Sequence, residues 1–425
     1  MANRARPVEV ATMTDRLQAR DAKDVEGAVQ WALGAGRGLE ILGHGSKRLI
    51  GRPARTDLAL DLSALSGITL YEPEELVLSA RAGTSLNEIE ALIAAKGQRL
   101  AFEPMDCGPL LGGPVGRGTI GGTIAANLSG PRRISAGAAR DHLLGFAAVS
   151  GRGESFKSGG RVVKNVTGYD FCKLMAGSWG TLAALTEVTV KTLPRSETEA
   201  TVVVSGLEDG TAALAMTAAM GSSCEVSGAA HLPAATAARF AMGAAVAAGR
   251  ALTALRLEGV APSVAHRKAA LLALLRPHGE VAAIDDMVSR RLWVAIRDVA
   301  AFAVHSGGDQ PLWRISTSPT KGHALVARVS REIEAAALYD WAGGLVWMAT
   351  PAADEASAAA AGGLIRAAVR ELGGHATLVR ASAELRAAID VFEPQDAGLA
   401  ALTKRVKEGF DPQGVLNPGR MWADV

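Results

Sequence analysis

The chain has 425 residues, 48% of them hydrophobic, a length that exceeds one comfortable hydrophobic core and predicts two or three substructures. Its 45 basic and 43 acidic residues give a net charge of +2 spread along the sequence, which leaves no field to hold nucleic acid or an anionic membrane. Cys107, Cys172 and Cys224 lack C-x-x-C spacing, which excludes a cysteine-held iron–sulfur cluster or a disulfide framework and fits a reducing compartment.

The N-terminal MANRARPVEV carries basic residues without the apolar core of a signal peptide, and no run approaches the roughly 18 apolar residues that span a bilayer. Cytoplasmic residence is expected, which leaves room for docking onto a membrane-linked partner. Apolar residues at Val25, Ala28, Val29, Ala32 and Leu33 predict a helix over 23–35, ending at Gly34 or Gly36. Strands are expected at 39–42, 57–62 and 75–81, and a helix at 85–95 with Thr84 as its cap. A helix after Gly122, strands near 142–150 and 153–157, a helix near 169–176 and a strand at 184–193 follow. Pro194 ends that strand, because proline cannot continue a ladder.

From about 196 the texture changes to alternating Val/Thr strands and Ala-rich helices. Strands are expected at 201–204, 228–232, 251–258, 312–317, 344–348 and 375–379. Helices are expected at 209–220, 234–248, 262–276, about 321–335, 353–372 and 396–408, with 291–297 readable as either. This is the pattern of an antiparallel sheet covered by helices, so the fold class is α+β. The expected division is 1–195, a cap at 196–385, and a terminal helix and tail at 386–425.

Two glycine-rich turns carry the chemistry. Gly43 to Gly51, GHGSKRLIG, follows the apolar run Leu39 to Leu42, and Gly118 to Gly130, GTIGGTIAANLSG, opens an apolar run that can continue as a helix. Glycines let a phosphate approach backbone N–H groups, and a helix start adds partial positive charge. Two such cradles suggest a dinucleotide. Neither is a G-x-G-x-x-G fingerprint nor a P-loop.

These residues resemble the FAD-binding oxidases and dehydrogenases of the vanillyl-alcohol oxidase and p-cresol methylhydroxylase type. GHGSK resembles their first pyrophosphate loop, Ala101-Phe102-Glu103-Pro104 the segment before the second, and Thr119-Ile120-Gly121-Gly122 the second loop. Arg140 to Gly145, Gly160 to Asp170, Gly180 to Thr189 and the tail Phe410 to Met421 are also similar. Within that family, RVVKNVTGYDFCKLMAGSWGTL, Leu312 to Ser316 and Gly373 to Arg380 are similar to the FAD-binding E subunits of bacterial glycolate oxidases. The family's first loop usually has glycine where His44 stands, and relatives often place Ser or a bulkier residue within Gly137-Ala138-Ala139.

The resemblance implies a two-part FAD-binding domain, an α+β cap and a tail that returns to the FAD domain. It implies FAD held by Gly43, His44, Gly45, Ser46, Lys47, Pro104, Thr119, Ile120, Gly121, Gly122, Ala138, Asp141, Val188 and Asn417. The pyrophosphate is expected on the N–H groups of Gly43 to Lys47 and of Thr119 to Gly122. The partners implied are a D-like FAD subunit, an F-like iron–sulfur subunit and a small 2-hydroxy acid. The D subunit carries a metal-binding H-x-G-D-G-N-x-H stretch. His305-Ser306-Gly307-Gly308-Asp309 lacks its Asn and second His, so it is read as a loop and no metal is expected.

Oxidation of a 2-hydroxy acid needs a base for the hydroxyl proton and a cation for the carboxylate. Arg314, beside Trp313 in a short apolar strand, leads the candidates, followed by His375 and Arg380. A structural ion pair for Arg314 and a hydrogen-bonded core imidazole for His375 are the alternatives. Three classes remain open: a subunit of a glycolate oxidase complex, a free-standing oxidase or dehydrogenase of another alcohol or 2-hydroxy acid, and an assembly subunit with little catalysis of its own.

Overall fold

A computed structural model of the protein describes residues 15–56, 58–161, 169–240, 249–304 and 310–425. Part of the Gly160 to Asp170 stretch, part of the helix expected at 234–248, and the 305–309 segment read as a loop lie outside these residues. Strands β1 (Asp15–Gln18), β2 (Glu40–Leu42) and β3 (Leu58–Asp61) form a three-stranded parallel sheet in the order β1-β3-β2. The helix Ala22–Ala35 covers it with Val25, Ala28, Val29 and Ala32. Asp21 caps that helix at one end, and Gly36, at φ 61°, ends it in the left-handed conformation.

Strands β4 (Ile68–Glu72), β5 (Val77–Arg81), β6 (Leu143–Ser150), β7 (Ser155–Gly159) and β8 (Ala183–Lys191) form a five-stranded antiparallel sheet in the order β4-β5-β8-β6-β7. The helices Leu86–Ala94 and Ile120–Ala126 pack on it through Ile89, Ile93, Ile120 and Ile124. Ser85, not Thr84, caps the first of these; the Thr84 hydroxyl donates to the carbonyl of Arg81 at 2.7 Å. The second helix begins at Ile120, so Gly121 and Gly122 form its first turn instead of preceding it.

The third sheet has eight strands: β9 (Thr198–Ser205), β10 (Gly228–Leu232), β11 (Leu252–Gly259), β12 (Glu280–Asp285), β13 (Leu312–Ser316), β14 (Ala336–Asp340), β15 (Leu345–Ala349) and β16 (His375–Arg380). Their order is β12-β9-β11-β10-β14-β15-β13-β16, and all neighbours are antiparallel. β12 and β14 have no counterpart in the sequence reading, and the ambiguous segment at 291–297 is the end of the helix Asp286–Arg297.

Period-two alternation gives this sheet two different faces. Val202, Val204, Leu255 and Leu257 pack under the helices Asp209–Met220 and Ala261–Leu275, and Ile315, Val346, Met348 and Leu378 under Gly322–Ser330 and Glu355–Leu372. The alternate residues Val203, Ala230, Ala254 and Trp347 share a core with Met105, Cys107 and Leu110, which precede the second glycine loop. The same face carries Arg256, paired with Glu103 at 2.8 Å, while Arg132 reaches both Glu103 and Glu258. After the helix Ala397–Phe410 the chain returns to β2: Leu416 bridges Leu39, and Lys407 donates to Thr181, Asp411 and Leu416. Among the described residues no helix is long and apolar enough to cross a membrane.

Candidate functional site

The end of β2 opens into a groove lined by Gly43, His44, Gly45, Ser46 and Lys47 and closed by Thr119, Gly121, Gly122, Gly180, Asn417 and Arg420. Gly43 is required by contact, since a Cβ there would stand 2.7 Å from the Thr119 hydroxyl oxygen. Gly45 is required by conformation, at φ 77°. Among the described residues the amides of His44, Gly45, Ser46 and Lys47 donate to no protein acceptor, so they are free to meet an anion.

The second loop works differently from the sequence expectation. Ile120 N–H donates to Thr84 and Gly121 N–H to Ala82, and Gly122 N–H meets the Thr119 hydroxyl at 3.3 Å. Gly121 permits close packing, because a Cβ would lie 2.6 Å from that of Ala82. The loop therefore supplies a wall without side chains more than a set of free donors.

Lys47 is buried, and among the described residues no carboxylate pairs with it, whereas neighbouring Arg48 is tied to Glu40 at 2.7 Å. Burial, helped by Arg117, holds the His44 imidazole below its ordinary range, and its Nδ1 is buried without a partner. Asn417 accepts from Ile41 N–H and donates to the Trp179 carbonyl, both at 2.8 Å. Arg420 donates to the carbonyls of Lys47 and Ile50 and lies over the Trp179 ring, and burial pushes it down to about 10. Free amides, a buried lysine without a carboxylate partner among the described residues and a glycine wall fit the pyrophosphate of a dinucleotide cofactor.

Of the residues the resemblance assigned to FAD, Gly43 to Lys47, Thr119, Gly121, Gly122 and Asn417 line this groove. Pro104, Ile120, Ala138, Asp141 and Val188 line neither it nor the cavity beside it. Ile120 and Val188 are core residues of the five-stranded sheet. Asp141 accepts the Ala138 amide at 2.9 Å and so shapes a turn. Trp179 and Arg420 also line it; both lie in segments that carry the resemblance, but without a local feature that assigns them to the groove.

Trp179 also borders a second cavity of about 230 Å³ between the eight-stranded sheet and the N-terminal half. The sheet register explains its floor. Arg314 stands opposite Thr377 and Trp347, and Ser316 opposite His375, so these side chains share the face turned away from the covering helices. Arg133, Cys107 and Asn127 face them from the N-terminal half, and Trp341 lies at the turn after β14.

Among the described residues, neither Arg314 nor Arg133 has a carboxylate within salt-bridge distance; their guanidinium carbons lie 5.0 and 4.2 Å from the Trp341 ring centre. Burial, reinforced by Arg133, pushes Arg314 down to about 10. His375 starts β16 with part of its surface exposed, and desolvation of the ring at the cavity and then Arg314 lower its pKa. Burial raises the neighbouring Asp340 carboxyl to about 7 and the Cys107 thiol to about 11, which leaves that thiol protonated and unreactive.

Arg380, grouped with Arg314 and His375 in the sequence, lies apart. It is buried and donates to the carbonyls of Gln310, Leu110 and Phe302, and it does not line the cavity. Its geometry is that of a strand-end clamp. Among the described residues no group of three His, Cys, Asp or Glu side chains is placed to hold a metal ion.

Residues 16–159 match the family described as the FAD binding domain. The chain is 34% identical to the glycolate oxidase subunit GlcE of Escherichia coli over 91% of its own length and 93% of that protein. It is 31% identical to the glycolate oxidase subunit GlcD of Bacillus subtilis over 36% of its length and 30% of the relative. The fold matches p-cresol methylhydroxylase with a TM-score of 0.70 at 13% identity, covering 96% of this chain and 88% of the other.

Proposed function

As the chain belongs to the family of the Escherichia coli glycolate oxidase subunit GlcE, FAD-dependent oxidoreductases on the p-cresol methylhydroxylase fold, we propose that it oxidises glycolate or a related 2-hydroxy acid as the FAD-carrying subunit of a complex. In this reading residues 1–195 bind FAD, 196–385 form the cap and 386–425 pack back on the FAD-binding part. A D-like FAD subunit and an F-like iron–sulfur subunit complete the assembly, and the iron–sulfur subunit receives the electrons. The complex works in the cytoplasm or at the membrane through its partners.

The observation that carries the proposal is the pair of guanidiniums, Arg133 and Arg314, facing one cavity without a carboxylate partner among the described residues, next to the pyrophosphate groove. An arginine fork binds a carboxylate through two parallel charge-assisted hydrogen bonds. FAD, held by the amides of Gly43 to Lys47 with Lys47, supplies the two-electron acceptor when bound. The rest falls to the chain's own side chains. Arg314 and Arg133 orient the carboxylate, which fixes the neighbouring Cα. His375, on the same sheet face and with its pKa lowered by desolvation and Arg314, takes the hydroxyl proton at a ring nitrogen. Trp341 and Trp347 exclude water from the floor.

The visible spectrum of the purified chain, recorded before and after glycolate is added without oxygen, tests this. Bleaching of a flavin spectrum establishes oxidation by this chain. A flavin of the purified chain that stays oxidised, while that of the assembled complex bleaches, overturns it in favour of a relay or assembly role.

A further inference from the structure

We propose that Trp341 is the positioning residue of the carboxylate site, holding one guanidinium from each side of the cavity so that a single carboxylate bridges Arg133 and Arg314. This rests on the reading that the cavity takes a 2-hydroxy acid, and it adds the residue that keeps two like charges side by side before any anion arrives.

Arg133 comes from the short helix Arg133–Ala136 after the second glycine loop, and Arg314 from β13 of the large sheet. Two guanidiniums facing one cavity repel, and Arg133 is the largest charge acting to lower Arg314. Both lie within cation–π reach of the Trp341 indole, whose negative face offsets part of that repulsion without neutralising either cation. A carboxylate in the place of the indole would have consumed the charge the substrate needs.

The ring is held by its nitrogen and by the turn that carries it. Its Nε1 donates to the Gly130 carbonyl at 3.0 Å, and the same carbonyl accepts the Arg133 amide at 3.1 Å, so the indole is pinned to the turn that carries Arg133. The Trp341 backbone N–H donates to Asp340 at 2.7 Å. Trp341 and Ala342 both have left-handed backbones, at φ 52° and 58°. Consecutive non-glycine residues in that region are strained, and such strain persists where the surroundings over-determine it. The strained turn seats the buried indole at the edge of an apolar core, with both guanidiniums over its ring.

The test uses the full-length, flavin-loaded chain with any co-purifying partners, and reads oxalate binding by calorimetry, so it does not depend on turnover. Neutral glycolamide serves as the control ligand. Trp341→Leu is expected to weaken oxalate about tenfold, with Trp341→Phe within about threefold of wild type and glycolamide unchanged in both. A residue that merely supported the fold would move both ligands together, and that result overturns the proposal. Should the Leu variant fail to fold, tryptophans of increasing fluorination introduced at position 341 keep the shape while draining the ring's negative face. Stepwise loss of oxalate affinity supports the clamp, and a flat series overturns it. Arg133→Gln and Arg314→Gln separate the two levels of argument. If both leave oxalate binding unchanged, the carboxylate site itself is wrong; if both abolish it while the Trp341 series stays flat, only the clamp is wrong.

Discussion

Glu103 and Arg256 meet through two parallel hydrogen bonds of 2.8 and 2.9 Å, joining the segment before the second glycine loop to a strand of the eight-stranded sheet. Both side chains are almost wholly buried, and Arg132 and Glu258 extend the pair into a network between the two halves. Breaking such a pair from one side leaves an uncompensated buried charge. Glu103→Gln is expected to cost about 3–5 kcal/mol of unfolding free energy, measured by denaturant titration at neutral pH.

The same carboxyl sets an acid limit. Burial acts to raise Glu103, but Arg256 and Arg132 outweigh it and hold the group below the ordinary carboxylate range. Because the folded-state value is depressed, its contribution is present above the unfolded value and is lost as pH falls through the folded one. Stability of the wild type is therefore expected to decline below about pH 4. Glu103→Gln should show a shallower decline, checked by melting temperature across pH.

His375 predicts a rate limb. Burial and Arg314 lower its pKa, so the imidazole stays a neutral base to more acid pH than a free histidine. Flavin reduction by substrate should fall only when pH drops through that lowered value, below the ordinary 6.5. His375→Gln should slow reduction by about 10²–10⁴-fold and remove the limb, as read by anaerobic stopped-flow absorbance.

Arg314 and Arg380 should separate cleanly. Arg314→Gln is expected to weaken substrate binding by about 2–3 kcal/mol, the scale of a charge-assisted hydrogen bond, while leaving flavin content and melting temperature near wild type. Arg380→Met leaves the carbonyls of Leu110 and Phe302 unpaired, so it should lower the melting temperature and leave the affinity of the folded fraction unchanged. Calorimetric titration and a thermal melt of both variants decide this.

Gly43→Ala and Lys47→Met address the cofactor groove. The added methyl would meet the Thr119 hydroxyl at 2.7 Å and displace one wall against the other. Loss of the buried ammonium removes a counter-charge for pyrophosphate. Each should lower FAD affinity at least about tenfold, measured as the flavin-to-protein absorbance ratio after dialysis.

The parts of this site legible in the sequence are those with a local cause. Gly43 to Lys47 follow a strand and obey a turn's need for glycine, and Arg314 is a charge in an otherwise apolar strand. Beside the second loop, Arg132-Arg133 reads in the sequence as a pair facing solvent or phosphate, since nothing local brings Arg133 to Trp341. His375, Thr377 and Val379 alternate onto the cavity face, but a β-bulge opposite Leu312 sends Arg380 to the carbonyls of Leu110 and Phe302, an outcome with no local signature. The strand β12 escaped because it is an exposed edge strand without apolar alternation, and β14 because Ala336-Ala337 reads as helix. Sheet order, and hence the meeting of Arg256 with Glu103, has no local signature.

Asn417 closes the groove that Gly43 opens, by bonding to Ile41 from a position 376 residues later in the chain. A nascent chain thus exposes its phosphate loop long before the closing residue leaves the ribosome. The groove is therefore expected to hold a flavin only once the tail has folded back onto β2, and truncation before Asn417 should leave a recognisable loop that retains little of it.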